Sequence, residues 1–271
     1  MRLTVRHKTS YRYDTPVANA MQQLRLTPPN CSGQRVIDWT IDAPGMSRAT
    51  SYTDAFGNVV HMISSQEVTE GVTITAAGTI ETEDKSGVVG EERDDAPSRI
   101  YTRFTPVTQA NQAIRRLGAI ADKDDKITGF HDLMHAVRDK VAYQVGVTET
   151  HATAVSALAS GEGVCQDHAH IFISAARSIG VPARYVSGYL LLDDEIESEA
   201  HHAWAEVCID GLGWLAFDIS NGICPTDHYI RLTTGLDSRS AAPIRGIRFG
   251  GNDENMDVEV EVAQAAVQQQ Q

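Results

Sequence analysis

The chain contains 271 residues, of which 42% are hydrophobic and 22% are charged, so it can bury the core of one large or two modest domains. Its formal net charge of −13 disfavours binding to nucleic acid or to anionic lipid. No apolar run reaches the roughly 18 residues of a membrane helix, and the opening MRLTVRHKTSYRY alternates like a strand rather than a signal peptide. These features predict a cytoplasmic globular protein with neither a nucleic-acid nor a membrane partner.

Residues 1 to about 83 carry short segments rich in Val, Ile, Thr and Tyr, separated by turn-forming residues. They predict the strands LTVRHKTSYRY, VIDWTID, GNVVHMIS and VTITAAGTIE, arranged as a small sandwich. Glu81 to Asp95 is acidic and almost free of bulky apolar residues, which is typical of a linker or an exposed excursion.

From Gln109 the apolar period changes to that of helices, in QANQAIRRLGAIA, ITGFHDLMHAVRDKVAYQ, AVSALAS and a segment that begins near Cys165. After Pro182 it returns to strands, in ARYVSGYLLL, HHAWAEVCID, GWLAFDIS, YIRLTTG, IRGIRFGG and MDVEVEVAQ. We therefore predict an α+β protein with a β-rich N-terminal domain and acidic linker over 1–95, a core of helices packed on an antiparallel sheet over 96–263, and a frayed tail over 264–271.

Four cysteines, Cys31, Cys165, Cys208 and Cys224, lie far apart and form no CxxC pair, so we expect four free thiols. Cys165 stands out because it opens a helix whose apolar stripe continues at positions 169, 172 and 176. The N–H groups and dipole of a helix N-terminus favour a thiolate and can stabilise an oxyanion. Most free cysteines are inert packing, however, so a nucleophile at Cys165 needs a base.

The segments that begin at His202 and end at Asp218 offer a base and a group to orient it. His202 could take the thiol proton, although a histidine there could equally be a capped core residue. Asp218 closes an apolar strand and could pair with the other ring nitrogen, or it could simply form the turn before Ser220. If the two strands form a hairpin with Ile209 opposite Trp214, then Asp218 does not face His202, and a bulge, a longer turn or an additional strand is needed.

Three segments, GVCQDHAH, HHAWAEV and WLAFDISNG, resemble the core motifs of the transglutaminase-like superfamily, and the chain is most similar to its bacterial cytoplasmic branch, often described as candidate cysteine proteases. HKTSYRYDTPV, LRLTPP and FGNVV extend the resemblance through the β-rich N-terminal part, and DHYIRLTTGLDSRSAAPIRGIRFGG extends it past the core. The resemblance implies a papain-like core in which Cys165 is the nucleophile, His202 the base and Asp218 its orienting group. These positions are 37 and 16 residues apart (202 − 165 and 218 − 202).

The resemblance also implies acyl transfer through a thioester, with a peptide or protein substrate that carries an amide or isopeptide bond. Hydrolysis by a cysteine peptidase or amidohydrolase is the leading expectation. A protein-glutamine transamidase is the first alternative, and a catalytically silent binding module is the alternative from another class. The sequence leaves substrate identity and oligomeric state open.

Further residues are candidates for lining the site, although ordinary packing accounts for each of them equally well. Tyr143 could donate a hydrogen bond to an oxyanion, and Trp204 could shield the thiol–imidazole pair from water. The set is Tyr143, Gln166, His168, Trp204 and Glu206, of which His168 stands where relatives commonly carry an aromatic residue.

Neither a metal nor a nucleotide cofactor is implied. Five histidines lie near Cys165 in sequence, but His168 and His170 are i, i+2 neighbours, which a helix points in different directions, and no cysteine pair offers a zinc site. The acidic segment 193–199 lacks the ligand spacing of a known calcium loop. It could bind an ion or act as a flap over the substrate. The other three histidines are His151, His201 and His202.

Overall fold

The computed structural model describes residues 1–68, 71–91, 96–145, 152–192, 201–250 and 253–265. Two four-stranded sheets, one five-stranded sheet and a two-stranded pair account for its strands. The protein is of the α+β class, with a β-rich N-terminal region beside a core of helices packed on an antiparallel sheet. None of the helices within these ranges combines the length and the apolar character needed to span a bilayer.

The N-terminal region consists of six strands, and the side chains of the first one alternate between a buried and an exposed face. In the first strand Leu3 and Val5 are buried, whereas Thr4 and Arg6 are exposed, as expected where only one face of a sheet meets a core. The strands are β1 (Arg2–Tyr13), β2 (Val17–Thr27), β3 (Gln34–Asp42), β4 (Thr50–Thr53), β5 (Val59–Val68) and β6 (Val72–Thr82).

The core begins with a short strand and continues with four helices and two further short strands. Polar side chains cap the first three helices, since Asn111, Asp125 and Thr153 each accept a hydrogen bond from a backbone N–H of the first turn. In chain order the elements are β7 (Val88–Gly90), α1 (Gln112–Ala121), α2 (Lys126–Lys140), β8 (Ala142–Tyr143), α3 (Ala154–Ser160), β9 (Glu162–Gly163) and α4 (Cys165–Ser178).

Helix α4 lies at the centre of the core, and eleven of its 14 residues are buried. α1 packs closely against it at Gly118, where a Cβ would lie 2.6 Å from the Ala175 carbonyl oxygen. The rings of Phe130, Phe172 and Phe217 meet with centroids 5.3 to 6.2 Å apart and join α2, α4 and the sheet. This apolar packing fixes the position of α4 relative to the sheet.

The five-stranded sheet supplies the other half of the core. Its order is β13-β10-β11-β12-β7, and all of its pairs are antiparallel. Three alternate residues of the strand His201–Ile209 belong to the same apolar cluster as α4, namely Ala203, Ala205 and Val207. This side of the strand therefore faces the helix. The strands that follow α4 are β10 (Ala183–Leu190), β11 (His201–Ile209), β12 (Gly213–Phe217) and β13 (Tyr229–Gly235).

The last two strands belong to the N-terminal sandwich, whereas the sequence analysis assigned them to the core. β14 (Ile244–Gly250) pairs with β2, and β15 (Glu254–Gln264) pairs along its whole length with β1. The chain thus returns from the core to complete both sheets of the sandwich, in the orders β14-β2-β5-β4 and β15-β1-β6-β3. Gln264, predicted to begin a frayed tail, is instead paired with Leu3, and residues 266–271 lie outside the described residues.

The predicted linker also contains structure. Within the segment 81–95, Val88 to Gly90 form β7, which pairs with β12 as an edge of the five-stranded sheet. Hydrogen bonds to that sheet hold this short stretch, and Val88 and Val89 pack against buried apolar clusters of the core. Residues 92–95 lie outside the described residues.

Two amide side chains of the N-terminal region cover the free edge of β13. The Gln34 side chain accepts from the Arg231 N–H at 2.8 Å and donates to its carbonyl at 2.9 Å. Asn58 makes the same pair of bonds to Thr234, at 2.9 and 2.8 Å. These bonds occupy backbone groups of an edge strand that lack a further strand as partner, and they attach the sandwich to the core.

Candidate active site

Cys165 is the first residue of α4 and follows a tight turn of the chain. α3 ends at Gly161, whose φ of +74° is readily adopted only by glycine. The chain then enters α4 from Val164, whose N–H donates to Asp167 Oδ2 at 3.0 Å. A Cβ at Gly163 would lie 2.8 Å from Asp167 Cβ, so this glycine makes room for the carboxylate. The partly exposed thiol is therefore held at a helix N-terminus.

His202 links the thiol to a carboxylate. It is the second residue of β11, pairs with Gly188 of β10 and is 7% exposed. Its Nε2 lies 2.7 Å from Asp218 Oδ2, and the ring also hydrogen-bonds to Cys165. Because Nε2 is engaged by the carboxylate, Nδ1 is the ring nitrogen available to the sulfur.

The register of the β11–β12 hairpin explains how Asp218 reaches His202. Ile209 pairs with Gly213 and not with Trp214, the pairing considered in the sequence analysis. Ala205 pairs with Phe217. Shifting a register by one residue moves a side chain to the other face of a sheet. Asp218, directly after β12, therefore lies on the His202 face as its diagonal neighbour. Neither a bulge nor an additional strand is needed.

Asp218 is completely buried and satisfied by hydrogen bonds on both oxygens. Oδ2 accepts from His202 Nε2 at 2.7 Å, from Asn221 Nδ2 at 2.6 Å and from the Tyr229 hydroxyl at 2.7 Å. Oδ1 accepts from the Ser220 hydroxyl at 2.8 Å and from the Asn221 N–H at 3.3 Å. A buried carboxylate with this many donors is stabilised in its ionised form.

The surroundings of His202 and Asp218 favour an imidazolium–carboxylate pair. Burial alone would lower the pKa of His202, but hydrogen bonds and charge interactions with Asp218 and Cys165 outweigh burial and raise that pKa to about 10. Burial alone would raise the pKa of Asp218, yet hydrogen bonds from His202, Tyr229 and Ser220 lower it to about 2. At neutral pH the proton between these two residues therefore stays on the ring.

This arrangement can activate a thiol for attack on a carbonyl group. An imidazole beside the sulfur can hold the thiol proton while the sulfur attacks, since the thiolate is the nucleophilic form of a cysteine. The first N–H groups of α4 have no carbonyl partner within the helix, and the N–H groups of Asp167 and His168 are already used by Val164. Those of Cys165 and Gln166 remain near the sulfur, where they can stabilise an oxyanion.

The predicted lining residues near the helix start have different surroundings. His168 is buried, with Nδ1 3.0 Å from the Val164 carbonyl and Nε2 2.9 Å from the Val141 carbonyl, so it joins the start of α4 to the end of α2. Tyr143 is half exposed and its ring stacks on His168 with centroids 6.2 Å apart. Gln166, the second residue of α4, is partly exposed. Both side chains are thus accessible, Tyr143 against His168 and Gln166 next to Cys165 in the chain.

Trp204 and Glu206 follow His202 on the same face of β11 but have unlike partners. The Trp204 ring is buried and stacks on His202, with centroids 6.5 Å apart. Glu206 is buried in ion pairs with Arg184 Nε at 2.6 Å and Arg231 at 2.9 Å. Trp204 therefore contacts the candidate base, whereas Glu206 joins β10, β11 and β13 away from it.

Sequence reasoning missed the residues that hold Asp218. Ser220 and Asn221 had a detectable signal, because polar residues in a turn often bond back to a preceding Asp, but we interpreted them only as turn-forming. Tyr229 has no comparable local signal. It opens β13, which is separated from β11 by β10 in the sheet order, so its contact with Asp218 depends on the complete fold.

The histidines near the site have separate partners. His170 Nε2 accepts from the Ser238 N–H at 3.1 Å, and His201 Nε2 lies 3.0 Å from the Ser187 hydroxyl. Within the ranges that the structure describes, no group of three His, Cys, Asp or Glu side chains is placed to hold a metal ion. His151 and the acidic segment 193–199 lie outside those ranges.

Comparison with known proteins identifies both parts of the chain. Residues 115–219 match the transglutaminase-like superfamily, and residues 3–81 match the bacterial transglutaminase-like N-terminal region. Protein ML0607 of Mycobacterium leprae is 30% identical over 280 residues, which cover 98% of this chain and 99% of that protein. Protein Rv2569c of Mycobacterium tuberculosis is 30% identical over 289 residues, which cover 96% and 91%.

A solved structure shares the whole architecture. The crystal structure of a protein from Cytophaga hutchinsonii, described as a candidate cysteine protease, superposes with a TM-score of 0.77 over 98% of this chain and 91% of that one. The two are 19% identical, so the similarity shows a common fold. The two matched regions, with relatives 30% identical along nearly the whole chain, show that this chain belongs to the transglutaminase-like superfamily and carries the family's bacterial N-terminal region.

Proposed function

We propose that this protein is a thiol-dependent enzyme that cleaves amide bonds, as a cysteine peptidase or amidohydrolase, through Cys165, His202 and Asp218. The observation that carries the proposal is the position of His202, which hydrogen-bonds to Asp218 at 2.7 Å and also to Cys165. A buried histidine between a thiol at a helix N-terminus and a buried carboxylate has the surroundings of a catalytic base.

The reaction follows from these three side chains. His202 takes the Cys165 proton, and the sulfur attacks the carbonyl carbon to give a tetrahedral oxyanion beside the N-terminus of α4. The imidazolium then protonates the departing amine, the C–N bond breaks and a thioester remains. Water, losing its proton to His202, attacks the thioester and releases a carboxylic acid and the free thiol. Asp218 keeps the ring oriented and stabilises its charged form.

The first test measures the reactivity of the thiols. With limiting iodoacetamide near neutral pH, mapped by mass spectrometry, we expect Cys165 to be alkylated at least roughly tenfold faster than Cys31, another partly exposed thiol. His202→Ala should remove this difference, and Cys31→Ser should leave Cys165 unchanged. Equal rates at the two cysteines would contradict the proposal and favour a catalytically silent binding module.

The second test separates hydrolysis from transfer. A glutamine-containing peptide is offered with and without a primary amine, and ammonia, backbone cleavage and new amide products are measured. Cleavage or deamidation that needs no amine supports a hydrolase. Product formed only with the amine would identify a transamidase, in which an amine replaces water in the second step. Activity retained by Cys165→Ala would rule out the mechanism.

We also propose that the protein works in the cytoplasm. The four cysteines are partly exposed, and none of them forms a disulfide within the described part of the chain, which suits a reducing compartment. Recovery of the native protein in the periplasmic fraction of its cells, and its absence from the cytoplasmic fraction, would contradict this assignment.

A further inference from the structure

Tyr229 contacts the Asp218 oxygen that binds His202. Its hydroxyl donates to Asp218 Oδ2 at 2.7 Å, the same distance that separates this oxygen from His202 Nε2. Asn221 Nδ2 donates to the same atom at 2.6 Å and lies 3.4 Å from the Tyr229 hydroxyl. Oδ2 is thus surrounded by three donors, only one of which belongs to the three residues of the proposed mechanism.

The ring of Tyr229 also supports the imidazole. Its centroid lies 6.0 Å from that of His202 and 5.6 Å from that of Trp204, with the Tyr229 and Trp204 planes nearly perpendicular at 87°. Trp204 in turn stacks on His202. Three buried rings therefore contact one another, so the imidazole has little freedom to tilt.

The chemistry of the phenol suits a permanent donor. Burial and the neighbouring Asp218 charge both raise the pKa of Tyr229, so its hydroxyl keeps its proton at neutral pH and well above it. A donor of this kind stabilises the ionised form of a carboxylate and disfavours its protonated form. Transfer of the shared proton from His202 to Asp218 is correspondingly disfavoured.

We propose that Tyr229 is a positioning residue whose hydroxyl, together with the Asn221 amide, keeps Asp218 ionised and turned toward His202 while its ring fixes the tilt of the imidazole. The proposal rests on the proposed function of Cys165, His202 and Asp218. It adds a group from a distant strand, since Tyr229 acts on the thiol only through Asp218 and His202.

The test compares two buried tyrosine hydroxyls. Tyr229→Phe removes the hydroxyl and keeps the ring, and Tyr189→Phe is the matched control, because the Tyr189 hydroxyl is equally buried and lies 2.8 Å from His7 Nδ1. Alkylation of Cys165 by iodoacetamide is followed from about pH 4 to about pH 9. For Tyr229→Phe we expect the acid limb to move upward by roughly half a pH unit or more. The rate near pH 7 should fall roughly tenfold.

A purely structural role would lower the melting temperature and leave the pH profile in place. All rates are therefore measured below the temperature at which the least stable variant begins to unfold. Asn221→Ala removes another donor from the same oxygen and should shift the profile in the same direction. If Tyr229→Phe and Asn221→Ala both keep the wild-type acid limb, or if Tyr189→Phe shifts it equally, the proposal is overturned.

The outcome can be distinguished from a failure of the proposed function. If Cys165 is reactive in the wild type and His202→Ala abolishes this reactivity, the thiol–imidazole pair stands whatever Tyr229→Phe does. If Cys165 is no more reactive than Cys31 in the wild type, the proposed function fails before Tyr229 is tested.

Discussion

His202, the proposed base, also bears on stability, because its contacts with Asp218 and Cys165 raise its pKa in the folded protein. Its pKa is raised from the 6.5 of a free imidazole to about 10, chiefly because the bonds to Asp218 and Cys165 outweigh burial. A group whose pKa is higher in the folded than in the unfolded chain stabilises the fold fully below the unfolded value. That contribution is then lost as the pH rises toward the folded value.

We therefore expect the free energy of unfolding to decline between about pH 6.5 and pH 10, with His202 contributing a slope of up to about 1.4 kcal/mol per pH unit. Urea unfolding at several pH values in this window measures the slope. His202→Gln should flatten it, and His228→Gln, at an exposed position, should not. Identical slopes in the wild type and His202→Gln would show that the folded protein does not retain a charged His202.

The sequence was sufficient to select Cys165, His202 and Asp218 as candidates. It revealed only some of the residues that hydrogen-bond to Asp218. A cysteine at a helix start, a histidine at a strand start and an acid at a strand end are local patterns. The contacts of Ser220 and Asn221 with Asp218 are also local, since two or three residues separate them. Tyr229 acts across the sheet, and no local pattern determines which strands become neighbours.

The N-terminal turn of α4 presents Cys165, and Asp167 closes it. Its carboxylate accepts the Val164 N–H at 3.0 Å and is buried, with 1% of its surface exposed. Loss of this bond leaves a buried donor without its partner and loosens the turn that carries the sulfur. The helix start is therefore a place where stability and reactivity are coupled.

We expect Asp167→Ala to lower the free energy of unfolding by about 1–2 kcal/mol and to slow alkylation of Cys165. Asp125→Ala provides the control, because Asp125 also caps a helix, as the N-cap residue of α2 that accepts the Thr128 N–H at 3.2 Å. It should destabilise the protein without changing the alkylation rate under conditions where both variants are folded. Equal alkylation rates in the two variants would show that Asp167 does not position the thiol.

The hairpin between β11 and β12 illustrates how a site prediction depends on the register between two strands. Its existence, strands and turn were predictable from DGLG between two apolar runs. The register was not, because the three-residue loop that the structure has (210–212) and the four-residue loop of the alternative register (210–213) both suit a glycine-rich turn. This one-residue difference in register decides whether the Asp218 side chain lies on the same face of the sheet as His202 or on the opposite face.

The sandwich and the core are joined through the Gln34 and Asn58 side chains on β13, the strand that begins with Tyr229. Both amides are buried, with 7% and 8% of their surfaces exposed. They occupy N–H and carbonyl groups at Arg231 and Thr234 that would otherwise be left without partners in the interior. The N-terminal region thereby helps to fix the strand that supplies Tyr229.

Gln34→Ala should lower the free energy of unfolding by about 2 kcal/mol or more, because two buried backbone groups of Arg231 lose their partner. Hydrogen exchange measured by mass spectrometry should show faster exchange in β13, centred on the Arg231 amide. Gln66→Ala, at an exposed position of β5, should change neither quantity. Unaltered exchange in β13 of Gln34→Ala would mean that the sandwich does not restrain this strand.

The fold class could be predicted from periodicity alone, but the boundaries could not. IRGIRFGG and MDVEVEVAQ were correctly interpreted as strands, and nothing in their composition distinguishes a partner in the core from one in the sandwich. The pairing of Leu3 with Gln264 spans almost the entire chain. Such a contact depends on global topology, which local sequence patterns do not encode.

The return of the chain to β1 and β2 sets an order of events during synthesis on the ribosome. All strands of the five-stranded sheet lie before residue 236 and leave the ribosome first. The two sheets of the sandwich are complete only after β14 and β15 have left the exit tunnel. Until then β1 and β2 each keep one flank open, which invites pairing with another nascent chain. The half of the molecule that is made first is therefore the last to be finished, and it needs protection for longest.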